Sequence, residues 1–476
     1  MEFAELLQGI RSGAIKVEGI YQDSRRMRPG GVFVCIQGPN VDGHDFAAQV
    51  LAAGAAWIVG ERDLSYANYL RVDDSRAALA DLAYAFYGEP ARTIQQIGIT
   101  GTNGKSTTCH LLASLLNAQR VPAATIGTLG VFFPEDRQLE RTVNTTPNAL
   151  EMARLLRRLQ DEGARVAAVE VSSIALDQDR ALGMDFAGVI FTNLTQDHLD
   201  YHHTFENYFQ AKRRLFTLPH RVGIINIDDP YGARLAEEFP ASLTISTLQS
   251  ARIQAREITF NQSGFRFLLD IDGRTAWLNT PLAGMHNVYN LLSALGGLIS
   301  LGEDPFAYLD NVARLSLPKG RWEVIGTEPT VIIDYAHTPD SMEQVLSHAR
   351  RIARGRVITV FGCTGNRDRG KRPLMGEIAS RYSEFVVLSN DNPEDEDPEA
   401  IAREALRGIY KPHLLQLDRE KAIEAAINMA EADDLVLVLG KGHEDTIQIG
   451  KTSIPFSDAA VARRYWERRQ QRAELG

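Results

Sequence analysis

The stretch IQQIGITGTNGKSTTCHLLASLLNAQ, Ile94 to Gln119, decides how the chain is read. Its apolar run has the length of a buried strand and ends in a glycine-rich turn. That turn passes directly into the apolar spacing of a helix. Glycine at such a turn lets backbone N–H groups come close to an anion, and the opening turn of the helix adds a favourable dipole. Gly101, Thr102, Asn103, Gly104, Lys105, Ser106 and Thr107 match GxxGK[ST], shorter than the usual GxxxxGK[ST] phosphate loop. In that pattern Lys105 brings charge to the β- and γ-phosphates, and Ser106 offers a hydroxyl to Mg²⁺. A glycine-rich turn can also be only a tight connection. Lys and Ser in register, between a strand and a helix, favour a nucleotide.

Working outward, VAAVEVSS, AGVIFTNLT and VGIINIDD read as further buried strands separated by helical patterns. This alternation predicts a mostly parallel sheet covered by helices. TLQSARIQAREITF and GFRFLLDIDG read as antiparallel strands added to it, and HNVYNLLSALGGLISLG as a closing helix. Three α/β units are expected: residues 1–90, a central P-loop-type ATP-binding unit at 91–316, and a doubly wound, Rossmann-like unit at 317–476. In the third unit DYAHTPD, GCTGNRDRGKR, NDNPEDED and GKGHED each follow a strand candidate, where ligands bind in such sheets.

A chain of 476 residues has room for three cores. Its net charge of −10 argues against general nucleic-acid or membrane-surface binding. The three cysteines, Cys35, Cys109 and Cys363, are scattered and match neither a disulfide framework nor a structural zinc site. The first residues lack the basic and apolar regions of a signal peptide, so a cytoplasmic location is expected.

Glu170 ends VAAVE, and His198 lies in TNLTQDHLDYH just past another strand candidate. Both project toward the edge that carries the phosphate loop. Carboxylate and imidazole bind Mg²⁺ or Mn²⁺, so Ser106, Glu170 and His198 are the candidate metal ligands. His198 taken alone is more simply a surface or capping histidine. Lys212, in NYFQAKRRLF, falls within an amphipathic helical pattern, where a lysine is ordinarily solvated.

In order along the chain, TGTNGKST, EVSS, TNLTQDHLDYH, YFQAK, HNVYN, GRWE, DYAHTPD, GKRPLM, DNP and GKGHED resemble the Mur ligase family. With DSR and DGHDF near the N-terminus, the resemblance is to the branch that extends UDP-N-acetylmuramoyl-L-Ala-D-Glu by one amino acid. It covers essentially the whole chain. It implies ATP and Mg²⁺ as cofactors, an acyl-phosphate intermediate, and catalytic roles for Lys105, Glu170, His198 and Lys212. Lys212 matches the lysine that the family carbamylates, which turns a cation into an anionic metal ligand. Asn287, Asn290, Arg321, Asp334 and His337 resemble nucleotide-side residues. Ser24 resembles the uridine contact. Asn144, Thr145, Thr146, Ser172, Gln178 and Arg180 resemble contacts to the muramoyl-peptide. Arg367, Asp391, Asn392, Gly440 and Glu444 match amino-acid-binding positions. A monomer is expected.

The sequence departs from the family twice. Ile174 stands where the family often has His, so that position is given no role. Members that add meso-diaminopimelate usually carry DNPR, whose Arg pairs with the distal carboxylate. This chain has Asp391-Asn392-Pro393-Glu394 followed by Asp395, Glu396 and Asp397. Glu cannot make the bidentate contact of Arg. Either the acidic run is a solvated loop, or the pocket prefers a cationic side chain without a carboxylate, such as L-lysine or L-ornithine. Three other functions remain in view: a paralogue using another acceptor in specialised metabolism, a non-catalytic nucleotide-binding paralogue, and a folate-extending ligase. The five residues Lys105, Ser106, Glu170, His198 and Lys212 argue against the scaffold. The N-terminal DSR segment argues against the folate type.

Overall fold

Each of the three larger sheets of the computed structural model draws its strands from one contiguous stretch of chain, 20–71, 95–280 and 323–439, and a two-stranded hairpin follows at 446–455. The description covers residues 1–38, 41–134, 136–261 and 264–475. The first sheet has four parallel strands, Ile20–Tyr21, Val32–Val34, Trp57–Gly60 and Tyr69–Arg71. Helices Phe3–Ser12 and Ser75–Phe86 pack on it through Leu6, Leu79 and Leu82. The second helix also sends Ala83 and Tyr84 into the neighbouring core.

The large sheet has eleven strands. Its parallel centre runs His220–Asn226, Phe186–Phe191, Gln95–Thr100, Val166–Glu170 and Ala123–Gly127. Val166 and Ala168 enter one core, while Ala167 and Val169 enter the other. Burial on both faces is why these strands read as unbroken apolar runs. The expected antiparallel addition is present as Ile253–Asn261, Gly264–Ile271 and a third strand, Arg274–Thr280.

The third sheet has six strands, ordered Glu323–Thr327, Thr330–Asp334, Leu435–Leu439, Val357–Phe361, Phe385–Leu388 and His413–Leu415. All but the first pairing are parallel, with apolar clusters on both faces. This is the doubly wound arrangement read from the sequence. No described helix is long and apolar enough to cross a membrane.

Candidate active site

The phosphate-loop strand Gln95–Thr100 lies between Phe186–Phe191 and Val166–Glu170. Thr100 pairs with Phe191, and Ile99 with Glu170, so three carboxyl ends meet at one level. The loop 101–104 leaves there and feeds helix Lys105–Ala118. Gly104 has φ +88°, and a Cβ there would collide with Asn290 Oδ1. This glycine is required for both reasons, conformation and space. Lys105 Nζ folds back onto the carbonyls of Gly101 (2.8 Å) and Thr102 (2.9 Å). Ser106 and Thr107 are buried at the helix opening.

A cavity of about 390 Å³ opens beside this loop, lined by Gly104, Thr107, Asn287, Asn290, Arg321 and Asp334 among others. Asn290 Nδ2 donates to Asn287 Oδ1 (2.9 Å), and Asn287 Nδ2 donates to the Ala283 carbonyl (2.6 Å). Arg321 stacks 4.4 Å over the Tyr335 ring. Asp334 accepts the N–H groups of Trp322 (2.7 Å) and Ala336 (2.8 Å). Burial raises its pKa, against the opposing charge of Arg321. Four of the five expected nucleotide-side residues therefore line one cavity. His337 sits elsewhere, with Nε2 4.0 Å from Asp197.

Glu170 is buried at the strand end and accepts the Thr128 N–H (2.9 Å) and hydroxyl (3.2 Å). Gly127 makes room for it, since a Cβ there would strike the carboxylate. His198 takes a left-handed conformation, φ 53°, at the start of a short helix. Its Nε2 is 3.5 Å from Asp197. Burial lowers its pKa and so favours the neutral ring that a metal needs.

Lys212 is not the solvated side chain that a lone lysine on an amphipathic helix ordinarily is. It lies on helix Phe205–Arg213 with 1% of its surface exposed. Its Nζ stands 4.4 Å over the Tyr208 ring, and the Tyr208 hydroxyl is 3.1 Å from Thr102 Oγ1 in the phosphate loop. Burial, reinforced by the charge of Lys105, pushes its pKa well below the ordinary lysine value despite Asp197 and Asp229. An unprotonated amine is the form that reacts with CO₂ to give a carbamate. Among the described residues no three His, Cys, Asp or Glu side chains form a closed metal cage. The donors at hand are hard oxygen and nitrogen ligands, which fit Mg²⁺ sharing its shell with phosphate.

The expected muramoyl-peptide contacts form one network. Thr146 Oγ1 donates to the Glu170 carbonyl (2.9 Å) and accepts the Ser172 N–H (3.0 Å). Arg180 donates to the Thr146 carbonyl (3.3 Å) and to Gln178 Oε1 (2.5 Å). Thr145 Oγ1 lies 3.0 Å from Thr128 Oγ1, and Asn144 is exposed at the cleft. Ser24 stands apart from this group, in a short helical turn capped by Asp23.

The amino-acid positions gather beyond the third sheet. Asn392 donates to Glu444 Oε2 (3.0 Å). Lys441, wholly buried, donates to Asn392 Oδ1 (2.9 Å) and Glu444 Oε2 (2.8 Å), and stands 3.5 Å from Asp391. Gly440 keeps φ +115° against the Asp391 carboxylate. Burial raises the Asp391 pKa, whereas Lys441 draws that of Glu444 down against its own burial. Arg367 is exposed and pairs with Glu394 at 3.3 Å.

The reading of residues 394–397 as a solvated loop does not hold for all of it. Glu396 accepts from the buried Arg372 (2.7 Å) and from the Asn366 N–H (2.6 Å). Asp397 caps helix Pro398–Leu406. Asp395 accepts from Asn366 Nδ2 (3.1 Å). Glu394 is thus the member of the run that pairs with Arg367, itself an expected amino-acid-binding residue.

Contacts between the second and third sheets' units close the site. Asn103 donates to Asp340 (2.9 Å), and Gln196 to Asp368 (2.7 Å). Asp197 gathers His198, His337 and Lys371, the last at 3.7 Å. Their charges hold its carboxyl below the usual range although burial opposes this. The sequence reading assigns no role to Asp197, Lys371 or Lys441. Their motifs are visible in it, but the partners lie far off in sequence.

Fold and site together define a nucleotide-loop enzyme built from three α/β units. The Mur ligase middle domain matches residues 99–298, the Mur ligase glutamate ligase domain residues 320–442, and the Mur ligase family catalytic domain residues 16–87. A UDP-N-acetylmuramoyl-L-alanyl-D-glutamate–2,6-diaminopimelate ligase from Gloeobacter violaceus is 42% identical over 96% of this chain and 95% of its own. One of the same name from Geobacillus thermodenitrificans is 41% identical over 95% of each. A solved structure of a ligase with that name has a TM-score of 0.70 and 32% identity over 95% of each chain. MurF ligase from Thermotoga maritima in complex with ADP shares the fold, with a TM-score of 0.65, 18% identity, and coverage of 95% of this chain and 98% of its own. The chain belongs to the Mur ligase family, and it is an ATP-dependent, ADP-forming ligase.

Proposed function

We propose that the enzyme joins a diamino acid to UDP-N-acetylmuramoyl-L-Ala-D-Glu in peptidoglycan precursor synthesis. The single observation that carries this reading is that the phosphate loop ends level with Glu170, is reached by the Tyr208 hydroxyl under buried Lys212, and faces the third unit through Asp197, which meets His337 and Lys371. In this reading residues 1–90 hold the uridine end, 91–316 bind ATP, and 317–476 present the amino acid.

The chemistry runs in two steps. A carboxylate oxygen of the substrate attacks the γ-phosphorus of ATP, and ADP leaves. The incoming amine then attacks the acyl carbon, the C–O bond to phosphate breaks, and the amine loses a proton. Lys105 neutralises phosphate charge, and backbone N–H groups of the loop orient it. Ser106, Glu170 and His198 would hold Mg²⁺, which supplies Lewis-acid charge at the phosphates. Carbamylated Lys212 would support that metal. Asn287, Asn290, Arg321 and Asp334 frame the nucleotide. His337 and Lys371 reach the reacting end through Asp197.

The relatives named above act on 2,6-diaminopimelate, which makes that diamino acid one candidate acceptor. The Arg367–Glu394 pair favours the other, lysine or ornithine, because Glu394 occupies the guanidinium that a substrate carboxylate would use. Phosphate release with mass-spectrometric product identification decides the matter, with ATP, Mg²⁺, the nucleotide dipeptide and one amino acid at a time. Product with lysine or ornithine and little with meso-diaminopimelate supports Glu394 as the selector. Good product with meso-diaminopimelate keeps the ligase and discards the selector. No product with any amino acid sinks the substrate assignment.

A further inference from the structure

Arg76 opens helix Ser75–Phe86 in the first unit, where Asp74 caps the first turn. Its guanidinium spans the boundary to the second unit. Nη2 donates to the Gln37 carbonyl (2.9 Å) and Nη1 to the Gln178 carbonyl (3.4 Å). Both it and Arg180 line a cavity of about 190 Å³, together with Gln22, Asn144, Asn148 and Gln178. Among the described residues neither guanidinium forms an ion pair. Asp179, the carboxylate in this wall, is taken by Arg214. Burial lowers the Arg180 pKa, and the neighbouring charge of Arg76 adds to that.

Two unpaired guanidiniums facing one cleft repel each other, and a fold gains nothing from that repulsion. A carboxylate or phosphate oxygen seated between them would reverse its sign, since charge-assisted bonds to arginine are the strong ones. The amide side chains around them supply the remaining polar contacts, and the cleft lies between Gln22, beside the proposed uridine contact, and the proposed peptide contacts. We propose that Arg76 is a substrate-positioning residue that, with Arg180, grips an anionic group of the nucleotide-linked peptide. The group is either the α-carboxylate of the glutamyl residue or the diphosphate. This inference rests on the substrate proposed above.

The competing explanation is a structural strut, because both bonds of Arg76 end on backbone carbonyls. Arg76→Gln separates the two: it keeps amide donors for the carbonyls and removes the charge. Titration calorimetry on the full-length enzyme would use UDP-N-acetylmuramoyl-L-Ala-D-Glu and its glutamyl α-carboxamide analogue. Arg76→Gln and Arg76→Ala are expected to weaken binding of the acid by roughly 10- to 100-fold, the worth of a charged hydrogen bond. Arg76→Lys is expected to recover part of it, and the KM for ATP to stay constant. If the loss disappears with the carboxamide, the gripped group is the carboxylate. If it persists, the group is the diphosphate. Wild-type affinity retained in Arg76→Gln would overturn the proposal in favour of the strut. Failure of the wild-type enzyme to bind the acid overturns the substrate reading first, and this inference with it.

Discussion

The phosphate loop and the amino-acid pocket both sit at the carboxyl ends of parallel strands, yet they are built from different materials. The first is a backbone device. Its shape depends on Gly101 and Gly104, each closely faced by a polar side chain. The second is a side-chain device, in which Asp391, Asn392, Lys441 and Glu444 position one another through charge. A backbone device tolerates almost no added atom, whereas a charge network responds to altered charge in a graded, substrate-specific way. The difference predicts separate failure modes.

The largest effect is expected at the loop. Gly104→Ala adds a Cβ against Asn290 at a left-handed backbone position. It should cut kcat/KM for ATP by roughly a thousandfold, about 4 kcal/mol of lost stabilisation. Amino-acid affinity measured by direct binding should change little. Near-normal ATP use would show that the loop has slack and would erase the contrast. Lys212→Met sharpens it further. Activity should fall by at least roughly a hundredfold, while the melting temperature rises by about 2–4 °C, the equivalent of about 1 kcal/mol for a domain of roughly 200 residues such as the central one. The reason is that burial already disfavours the lysine charge, so the side chain is held against the interest of the fold. A destabilised, inactive variant would mean that Lys212 is structural.

In the pocket, Lys441→Met leaves Asp391 and Glu444 without the ammonium that now lies between them. The KM for the amino acid should rise by roughly 10- to 100-fold, and the KM for ATP should hold. Lys441→Arg should restore part of the affinity if charge is the agent. Equal losses for both substrates would point to general unfolding of the third unit instead.

The same contrast explains what could be read in advance. The loop is local: strand, glycines, Lys105 and Ser106 are contiguous, so pattern and spacing sufficed for the fold and the nucleotide end. The sheet strands were legible because burial on both faces leaves unbroken apolar runs. Lys212 could be named only through the family resemblance, because its helix is amphipathic in sequence and only the packing against Tyr208 and the loop reveals which face the lysine occupies. Lys441 and Arg76 escaped for a related reason. Their meaning lies in partners 49 and 102 positions away, Asn392 and Gln178. The acidic run after Pro393 looked uniform, yet Glu394 pairs with Arg367, Asp395 and Glu396 with Asn366, Glu396 also with Arg372, and Asp397 caps a helix.

The smallest effect concerns the junction that brings the two regions together. His348, on helix Pro339–Ile352 of the third unit, is buried between Trp322 and Phe260 of the large sheet, with ring centroids 4.9 and 5.7 Å away. Burial, with the charge of Arg351 adding to it, lowers its pKa to about 4. The unfolded chain takes up a proton on this ring below about pH 6.5, and the folded chain not until about pH 4. Across that window the unfolded state binds more protons, so stability falls as the pH falls, by at most about 1.4 kcal/mol per unit from this group. His348→Phe keeps an aromatic ring in the slot and removes the titration. Its unfolding midpoint in urea should match the wild type near pH 7.5 and exceed it near pH 5, with the gap opening between those values. Parallel curves at both pH values would place the acid sensitivity elsewhere. The junction would then be no weaker in acid than the loop and pocket it joins.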